Sequence, residues 1–302
     1  MIIGIDHGNA NIKTNTGFKC LSGFTTLNDE SITNNGLLKY DSRYYSIGSE
    51  RLPLKMNKTK DEDFFILTLG AIGEILKVQG SVYSTDNIVL GVGLPIVNYG
   101  KLKGEFRDYF IRDKILFNYE GKNYDISIKD CIVFPQGYSA LLTRFQDYKG
   151  SPICNVVDIG GGTVDFFWCE NGILNISSCS SLQLGAINLF NKIIQQTTAL
   201  GYRISEFQIE QILSGERPIF ENDEIYQIIE TTTREFIRNL ISKLQENGLE
   251  MSLNPTVFLG GGSILFKKYI EESRVGYIEI IDDEFANAKG FEMLAKQKLV
   301  IR

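Results

Sequence analysis

No long hydrophobic run occurs in the sequence. Apolar stretches such as Ile132–Phe134 and Thr256–Leu259 are far shorter than the roughly 20 residues that a membrane-spanning helix needs, so no membrane is expected among the partners of the chain. A secretory signal is also missing, because Met1–Ile5 carries no basic region and no small-residue cleavage site follows it. Export is therefore not expected, and a cytoplasmic location is predicted.

The sequence has only five cysteines and one histidine, and it lacks an excess of positive charge. No C-x-x-C pair is present, which argues against a zinc site or a disulfide framework and favours packing of the cysteines as small hydrophobic residues. These cysteines are Cys20, Cys131, Cys154, Cys169 and Cys179. The formal net charge is -6 with both signs interspersed, so direct binding of nucleic acid is not expected and any link to DNA needs an adaptor protein. His7 stands without partner ligands, which favours packing over chemistry.

What the sequence does contain is an alternation of helix-like and strand-like segments, which is typical of an α/β protein. A helix is predicted over Phe64–Val78, with Thr59 and Glu62 as a capping box before it and Gly80 as its stop.

A second helix is predicted over Asp223–Asn247 and ends at Gly248. Asn87–Val92 and Thr256–Leu259 have the composition of strands buried on both faces, and Tyr124–Ile128 alternates as a half-exposed strand does. We therefore expect mixed sheets flanked by helices.

The most informative feature is an internal repeat. Ile3–Lys13 aligns without gaps with Asn155–Asp165, and both segments read as a strand, Asp-x-Gly, a tight turn and a second strand. The offset of about 150 residues is half of the chain, which predicts two related domains that face each other across a cleft.

Such a turn is suited to binding phosphate. Glycine at its third position allows positive φ and leaves the backbone N–H groups open to an anion. Asp6 and Asp158 end the first strand of each hairpin, where paired carboxylates can hold the waters of a magnesium ion. Lys13 and Thr163 can add a charge and a hydroxyl. Either hairpin alone reads as an ordinary turn, but two in register favour a nucleotide site.

A third glycine-rich turn, Phe258–Ile264, follows a buried strand and opens a predicted helix. It lacks the G-x-G-x-x-G spacing and the trailing acidic residue of a dinucleotide-binding fold, so that interpretation is weak.

Five segments resemble, in order and spacing, the motifs of the superfamily of actin, sugar kinases and heat-shock chaperone ATPases. They are Asp6–Lys13 as a first phosphate segment, Val133–Ala140 as a first connecting segment, Asp158–Asp165 as a second phosphate segment, Leu259–Ser263 as an adenosine segment and Ala286–Phe291 as a second connecting segment.

The resemblance implies an actin-like ATPase fold, with two related α/β domains around a central nucleotide cleft. Residues 1–152 and 284–302 then form the first domain, with a small inserted subdomain around 30–60, and residues 153–283 form the second.

Within this superfamily the chain is most similar to the bacterial plasmid-segregation actins of the ParM (StbA) type. The pattern Asp6-x-Gly8-x-x-Asn11-Ile12-Lys13 resembles their first loop, Gly91–Pro95 resembles their strand-to-Leu-Pro turn, and Gly185–Leu189 resembles a segment that approaches the ribose.

This likeness implies ATP or GTP as ligand together with Mg²⁺. It also implies polymerisation of the chain with itself into dynamic filaments, and a DNA-binding adaptor for plasmid partition.

The implied catalytic residues are Asp6, Gln136 and Asp158, and Asp6 and Asp158 also hold Mg²⁺ through water. The implied nucleotide-binding residues are Gly8, Asn9, Asn11, Lys13, Gly160, Gly161, Gly162, Thr163, Gly185, Asn188, Gly260, Gly261 and Ser263. Because Gln136 is a neutral amide, it orients water but does not remove its proton, and slow hydrolysis that assembly stimulates is expected.

Other interpretations stay open. A small-molecule kinase needs an added catalytic Asp and an acceptor pocket, and a nucleotide-binding assembly scaffold keeps the loops without useful turnover. A chaperone needs a substrate domain, whereas few residues follow Phe291. Asp165 is either structural or functional, and Glu206, Gln208 and Glu210 are either surface residues or adenine contacts.

Overall fold

The computed structural model describes residues 1–29, 35–55, 57–80, 84–148, 150–216 and 222–301. It separates the chain into two compact units: unit 1 comprises Met1–Thr143 and Phe285–Arg302, and unit 2 comprises Arg144–Glu284. Within the described ranges, no helix is both long and apolar enough to span a membrane. The predicted domain boundaries and the cleft stay predictions, and residues 30–34 and 56 of the predicted insertion lie outside the described residues.

The strands, in chain order, are β1 (Ile2–His7), β2 (Asn11–Thr14), β3 (Lys19–Leu21), β4 (Gly23–Leu27), β5 (Leu37–Tyr40), β6 (Arg43–Arg51), β7 (Ser84–Leu94), β8 (Arg112–Tyr119), β9 (Lys122–Pro135), β10 (Ile153–Ile159), β11 (Val164–Glu170), β12 (Ile173–Leu174), β13 (Ser180–Leu182), β14 (Thr256–Leu259) and β15 (Ile278–Ile280). The α-helices are α1 (Asp63–Val78), α2 (Ile96–Phe110), α3 (Tyr138–Leu142), α4 (Phe145–Tyr148), α5 (Ala186–Ala199), α6 (Glu206–Leu213), α7 (Asp223–Glu246), α8 (Gly261–Leu265), α9 (Lys267–Glu272) and α10 (Ala286–Ile301). A short 3-10 helix spans Ile176–Ser178.

Both units contain the same five-strand arrangement, which confirms the mixed α/β fold. Unit 1 has the order β3-β2-β1-β7-β9 and unit 2 the order β12-β11-β10-β14-β15, with antiparallel pairs on one side of the central strand and parallel pairs on the other. The register also repeats, because Asp6 pairs with Lys13 in β1–β2 and Asp158 pairs with Asp165 in β10–β11. The repeat in the sequence is therefore a repeat in the fold.

Unit 1 extends this arrangement beyond β9 through β8, β5, β6 and β4, so the described part of the predicted insertion contributes strands to the sheet. Helix α10 packs against β1 and β7 on one face. Glycine makes this close approach possible, because a Cβ at Gly93 would lie 2.0 Å from Cζ of Phe291 and a Cβ at Gly4 would lie 2.0 Å from Ala288 O. Helix α10 thereby completes the core of unit 1 around β1 and β7.

Unit 2 covers its sheet with helices that include α5 and α7. The apolar stripe predicted on α7 is buried, from Ile225 through Phe236 to Leu244. The helix ends at Glu246, and Gly248 follows with φ of 94°, a conformation that glycine adopts readily. The prediction of this helix is confirmed.

The capping box predicted at Thr59 and Glu62 is wrong. Glu62 is the N-cap of α1 and makes no side-chain capping hydrogen bond, while Thr59 donates to Asn57 Oδ1 over 2.7 Å. The described capping box lies on α6, where Ser205 Oγ accepts from Gln208 N over 3.3 Å and Gln208 Oε1 accepts from Ser205 N over 2.9 Å. The side chain of Gln208 therefore caps the start of α6.

The cysteines are free thiols, and the prediction that they pack as core residues holds for three of them. Cys131, Cys154 and Cys169 are buried, whereas Cys20 and Cys179 are half-buried. Burial raises the pKa of the Cys154 thiol to about 11, so this group is protonated at neutral pH.

Candidate functional site

The first phosphate turn joins β1 to β2 and is contacted by the residue that follows β9. Gln136 Nε2 donates a hydrogen bond of 2.8 Å to Asp6 Oδ1. The backbone N–H of Gln136 donates to Leu94 O over 2.8 Å, which ties this residue to the end of β7. Since Lys13 lies opposite Asp6 in the hairpin, the structure brings Asp6, Lys13 and Gln136 together in unit 1.

Two lysines act on the Asp6 carboxyl. Burial raises the pKa of Asp6 above its ordinary value, and the cations of Lys13 and Lys58 together with the Gln136 hydrogen bond offset part of that rise. Lys13 itself is only 7% exposed. Lys58, in the loop before α1, is not among the predicted site residues, and its Nζ donates to His7 O. Sequence reasoning missed it because no motif marks that loop.

His7 points away from the turn into an aromatic pocket. Its ring stacks on Phe110 with 4.9 Å between centroids and meets two further phenylalanines edge-on. Its Nε2 lies 2.8 Å from Thr68 Oγ1, and the Thr68 hydroxyl donates to Phe64 O. Burial, and secondly the Lys58 charge, lower the pKa of His7 to about 3. These contacts give His7 a packing role.

A close backbone contact requires the glycine of the first phosphate turn, and a less severe contact favours glycine in the second. A Cβ at Gly8 would lie 2.7 Å from Asn11 O, and a Cβ at the equivalent Gly160 would lie 3.2 Å from Thr163 O. In the second turn Gly160 N donates to Thr163 O over 2.9 Å, which closes the loop on itself. Asn9 and Asn11 are half-buried in the first turn.

The two connecting segments meet in unit 1. Gly137 N donates to Asn287 Oδ1 over 2.9 Å, and a Cβ at Gly290 would lie 2.2 Å from Ser139 O. The start of α3 is thereby pinned against α10, and the position of Gln136 next to it depends on this contact.

The second phosphate turn rests on the first residues of α5. Gly160 O accepts from Ala186 N over 3.0 Å, and Gly161 O accepts from Ile187 N over 2.9 Å. A Cβ at Gly185 would lie 2.2 Å from Gly161 O, so glycine is needed where the helix meets the turn. Asn188 is exposed on the first turn of the helix.

Asp158 and Asp165 are both buried in this hairpin, at 8% and 7% exposure. Thr163 Oγ1 donates to Asp165 Oδ2 over 3.2 Å. This bond holds the Thr163 hydroxyl at the end of the turn, which gives Asp165 a structural contact within the hairpin.

The third glycine-rich turn lies directly against Asp158. Gly260 has φ of 87°, and a Cβ there would lie 2.3 Å from Asp158 Oδ1. Gly261 begins α8. Ser263 is fully buried, its Oγ donates to Leu259 O over 2.5 Å and its backbone N–H donates to Gly260 O over 3.1 Å, so its contacts are those of the turn itself. Unit 2 therefore brings together the second phosphate segment, the start of α5 and the adenosine segment.

Helix α6 carries the remaining candidates. Glu206, Gln208 and Glu210 are half-exposed there, and Gln208 is engaged with Ser205. Their assignment to adenine stays a hypothesis.

The donor set of the turns fits a magnesium nucleotide. Backbone N–H groups at glycine positions, a lysine and a threonine hydroxyl suit phosphate oxygens, while carboxylate and amide oxygens suit magnesium or its waters. The glycines let the turns pack closely against neighbouring protein atoms, since a Cβ at Gly8, Gly185 or Gly260 would lie within 2.7 Å of one. Within the described ranges, no group of three or more His, Cys, Asp or Glu side chains could hold a metal ion.

Two family models match the chain. The family described as actin like proteins N terminal domain matches residues 4–138, and the family described as archaeal actin homologue MreB-like, C-terminal, matches residues 156–272. The match of the first covers the first phosphate turn and Gln136, and the match of the second covers the second and third turns.

Solved structures of similar fold cover almost the whole chain. The archaeal actin homolog Ta0583 in complex with ADP has a TM-score of 0.78 at 18% identity, over 98% of this chain and 99% of that one. A 15-stranded ParM filament from Clostridium botulinum has a TM-score of 0.77 at 21% identity, again over 98% and 99%. A non-polymerisable quadruple mutant of pCBH ParM has a TM-score of 0.78 at 19% identity, over 98% and 99%. No curated protein matches the chain.

Proposed function

Because the chain belongs to the actin-like superfamily, we propose that it is a protein of the ParM type, which binds ATP with Mg²⁺, hydrolyses the nucleotide slowly and polymerises into dynamic filaments. GTP is an alternative ligand of the same chemistry. We further propose a cytoplasmic role in plasmid partition through a DNA-binding adaptor, in line with the resemblance of the first phosphate turn to that of the ParM type.

One observation carries the proposal: two hairpins with the same register each place an aspartate at the same point, two residues before a glycine of the turn. A single such hairpin is common, but the repetition of five strands, of the register and of the Asp-x-Gly sequence is not expected of unrelated turns.

The residues have distinct roles in this proposal. Gly8, Lys13 and Thr163, with the backbone of both turns, bind the phosphate oxygens. Asp6 and Asp158 orient the waters of magnesium, whose charge stabilises the developing negative charge on the phosphates.

Gln136 orients the attacking water. Its Nε2 donates a hydrogen bond to Asp6 Oδ1, and this bond sets the orientation of the amide group and of its oxygen. An amide does not accept the proton of water at neutral pH, which is why turnover of the isolated subunit is expected to be slow.

The nucleoside is assigned to unit 2. Gly260 and Gly261 lie at the start of α8, and Gly185 and Asn188 lie at the start of α5. We assign the ribose to the Gly185–Asn188 segment and the adenosine to the Gly260 turn.

The proposal is tested by mixing the purified chain with magnesium and ATP, or GTP, while light scattering and phosphate release are followed together. We expect scattering to rise and then to decay as phosphate appears. Asp158→Ala is expected to abolish both signals, and Asp108→Ala, at an aspartate that is 71% exposed, is the matched control that leaves them unchanged.

Two other outcomes point elsewhere. Turnover only after a sugar or another small acceptor is added would replace the proposal by a kinase. Nucleotide binding without scattering or phosphate release would replace it by an assembly scaffold.

A further inference from the structure

Two carbonyl groups of the first phosphate turn accept hydrogen bonds from side chains that lie outside the turn and that no sequence motif marks. Lys58 Nζ donates to His7 O, and Ser22 Oγ donates to Gly8 O over 2.5 Å. Ser22 is 1% exposed, and the Lys58 ammonium lies 5.1 Å from the centre of the Phe64 ring. Both donors are therefore fixed by their surroundings.

A hydrogen bond to a carbonyl also orients the next amide. In a trans peptide unit the C=O and N–H bonds point to opposite sides of the plane. When Lys58 holds His7 O, the N–H of Gly8 faces away from Lys58, and when Ser22 holds Gly8 O, the N–H of Asn9 faces away from Ser22. Neighbouring N–H groups fixed in this way form the kind of concavity that binds anions.

The second phosphate turn supports the role of Ser22, because the carbonyl equivalent to that of Gly8 is also held by a hydrogen bond. Gly160 is equivalent to Gly8 in the repeat, and its carbonyl accepts from Ala186 N over 3.0 Å. The next carbonyl, of Gly161, accepts from Ile187 N over 2.9 Å. The start of α5 therefore holds the Gly160 carbonyl, as Ser22 holds the equivalent Gly8 carbonyl, while the contact of Lys58 with His7 O belongs to the first turn.

We propose that Lys58 and Ser22 are positioning residues of the first phosphate turn, which orient the Gly8 and Asn9 N–H groups towards the phosphate oxygens of the nucleotide. The ammonium of Lys58 also adds a second cation beside Lys13. This inference rests on the proposed function, and it links the loop before α1 to the phosphates.

The test compares Lys58→Met, Lys58→Arg, Ser22→Ala and, as a matched control two residues away on an exposed side chain, Lys60→Met. Affinities for ATP and ADP with magnesium are measured by calorimetry, and the affinity for adenosine is measured by competition. We expect Lys58→Met to weaken ATP binding by about tenfold or more, since a charge-assisted contact is lost, and to leave adenosine binding unchanged. Lys58→Arg is expected to restore most of the affinity, and Ser22→Ala to reduce it by a few-fold.

The outcomes separate the inference from the proposed function. Equal ATP affinity of Lys58→Met and Lys60→Met would overturn the inference, as would equal losses for ATP and adenosine together with a lower melting temperature. A wild-type chain that binds no nucleotide would overturn the proposed function and the inference with it.

Discussion

Replacing Gly185 by alanine is the sharpest test of the second phosphate turn. The glycine has φ of -75°, so alanine is not strained by the backbone angle. The cost comes from the added Cβ, which would lie 2.2 Å from Gly161 O and 2.5 Å from the carbonyl carbon of Gly162. Carbon and oxygen atoms do not approach this closely, so the turn or the helix start has to move by about 1 Å.

The hydrogen bonds between the turn and α5 set the size of the effect. They run from Gly185 N to Gly162 O at 3.3 Å, from Ala186 N to Gly160 O at 3.0 Å and from Ile187 N to Gly161 O at 2.9 Å. At roughly 0.5–1.5 kcal/mol for each bond, weakening all of them destabilises unit 2 by about 2–4 kcal/mol.

The assay is urea unfolding followed by tryptophan fluorescence. Trp168 is the only tryptophan of the chain and lies on β11, so it reports on unit 2. With a dependence of about 2 kcal/mol per molar urea, in the middle of the usual range, the midpoint of Gly185→Ala should fall by about 1–2 M.

Gly150→Ala is the matched control, because Gly150 belongs to the same unit and a Cβ there meets nothing within 4 Å. It should leave the midpoint unchanged or raise it slightly. If Gly185→Ala unfolds at the same urea concentration as wild type and Gly150→Ala, the argument from close contact is wrong.

Three further predictions concern unit 1. His7 has a pKa of about 3 in the folded chain and an ordinary value near 6.5, so between these pH values the unfolded chain binds a proton that the folded chain does not. As the pH falls below 6.5, wild type should therefore lose about 1.4 kcal/mol of unfolding free energy per pH unit relative to His7→Gln, as measured by guanidinium titrations followed by circular dichroism. A difference between the two proteins that does not change with pH would contradict this prediction. Asn287→Ala leaves the Gly137 N–H without its 2.9 Å acceptor and should lower stability by about 1–3 kcal/mol in the same titration, whereas an unchanged midpoint would show that water replaces the amide. Gln136→Ala should reduce phosphate release by roughly 10²-fold while nucleotide affinity, measured by calorimetry, stays within a few-fold; equal loss of both would assign Gln136 to binding instead.

The repeat of the fold could be predicted because its sequence signal lies within a few consecutive residues. Asp-x-Gly between two short apolar strands is a local signal, and its second copy fixed the similar topology of the two units. The long stripe of α7 was equally clear, since its periodicity extends over many turns.

Features that depend on residues far apart in the chain could not be predicted in this way. Lys58 contacts His7 and Ser22 contacts Gly8 only after folding, across 51 and 14 positions of sequence, and neither pair forms a local motif. The prediction of the capping box failed for the opposite reason. Thr59 and Glu62 have the right spacing, but Thr59 forms a hydrogen bond with Asn57, and the N-cap of α1 is Glu62 instead of Thr59.

The packing of α10 on β1 has a consequence for synthesis on the ribosome. The first strand emerges early, but the helix that covers it follows unit 2, which extends over Arg144–Glu284. At about 5–20 residues per second, translation of that intervening stretch takes roughly 7–30 s. During this interval the surfaces around Gly4 and Gly93 have no cover, so the nascent chain is exposed to chaperones and to premature association until the final helix arrives.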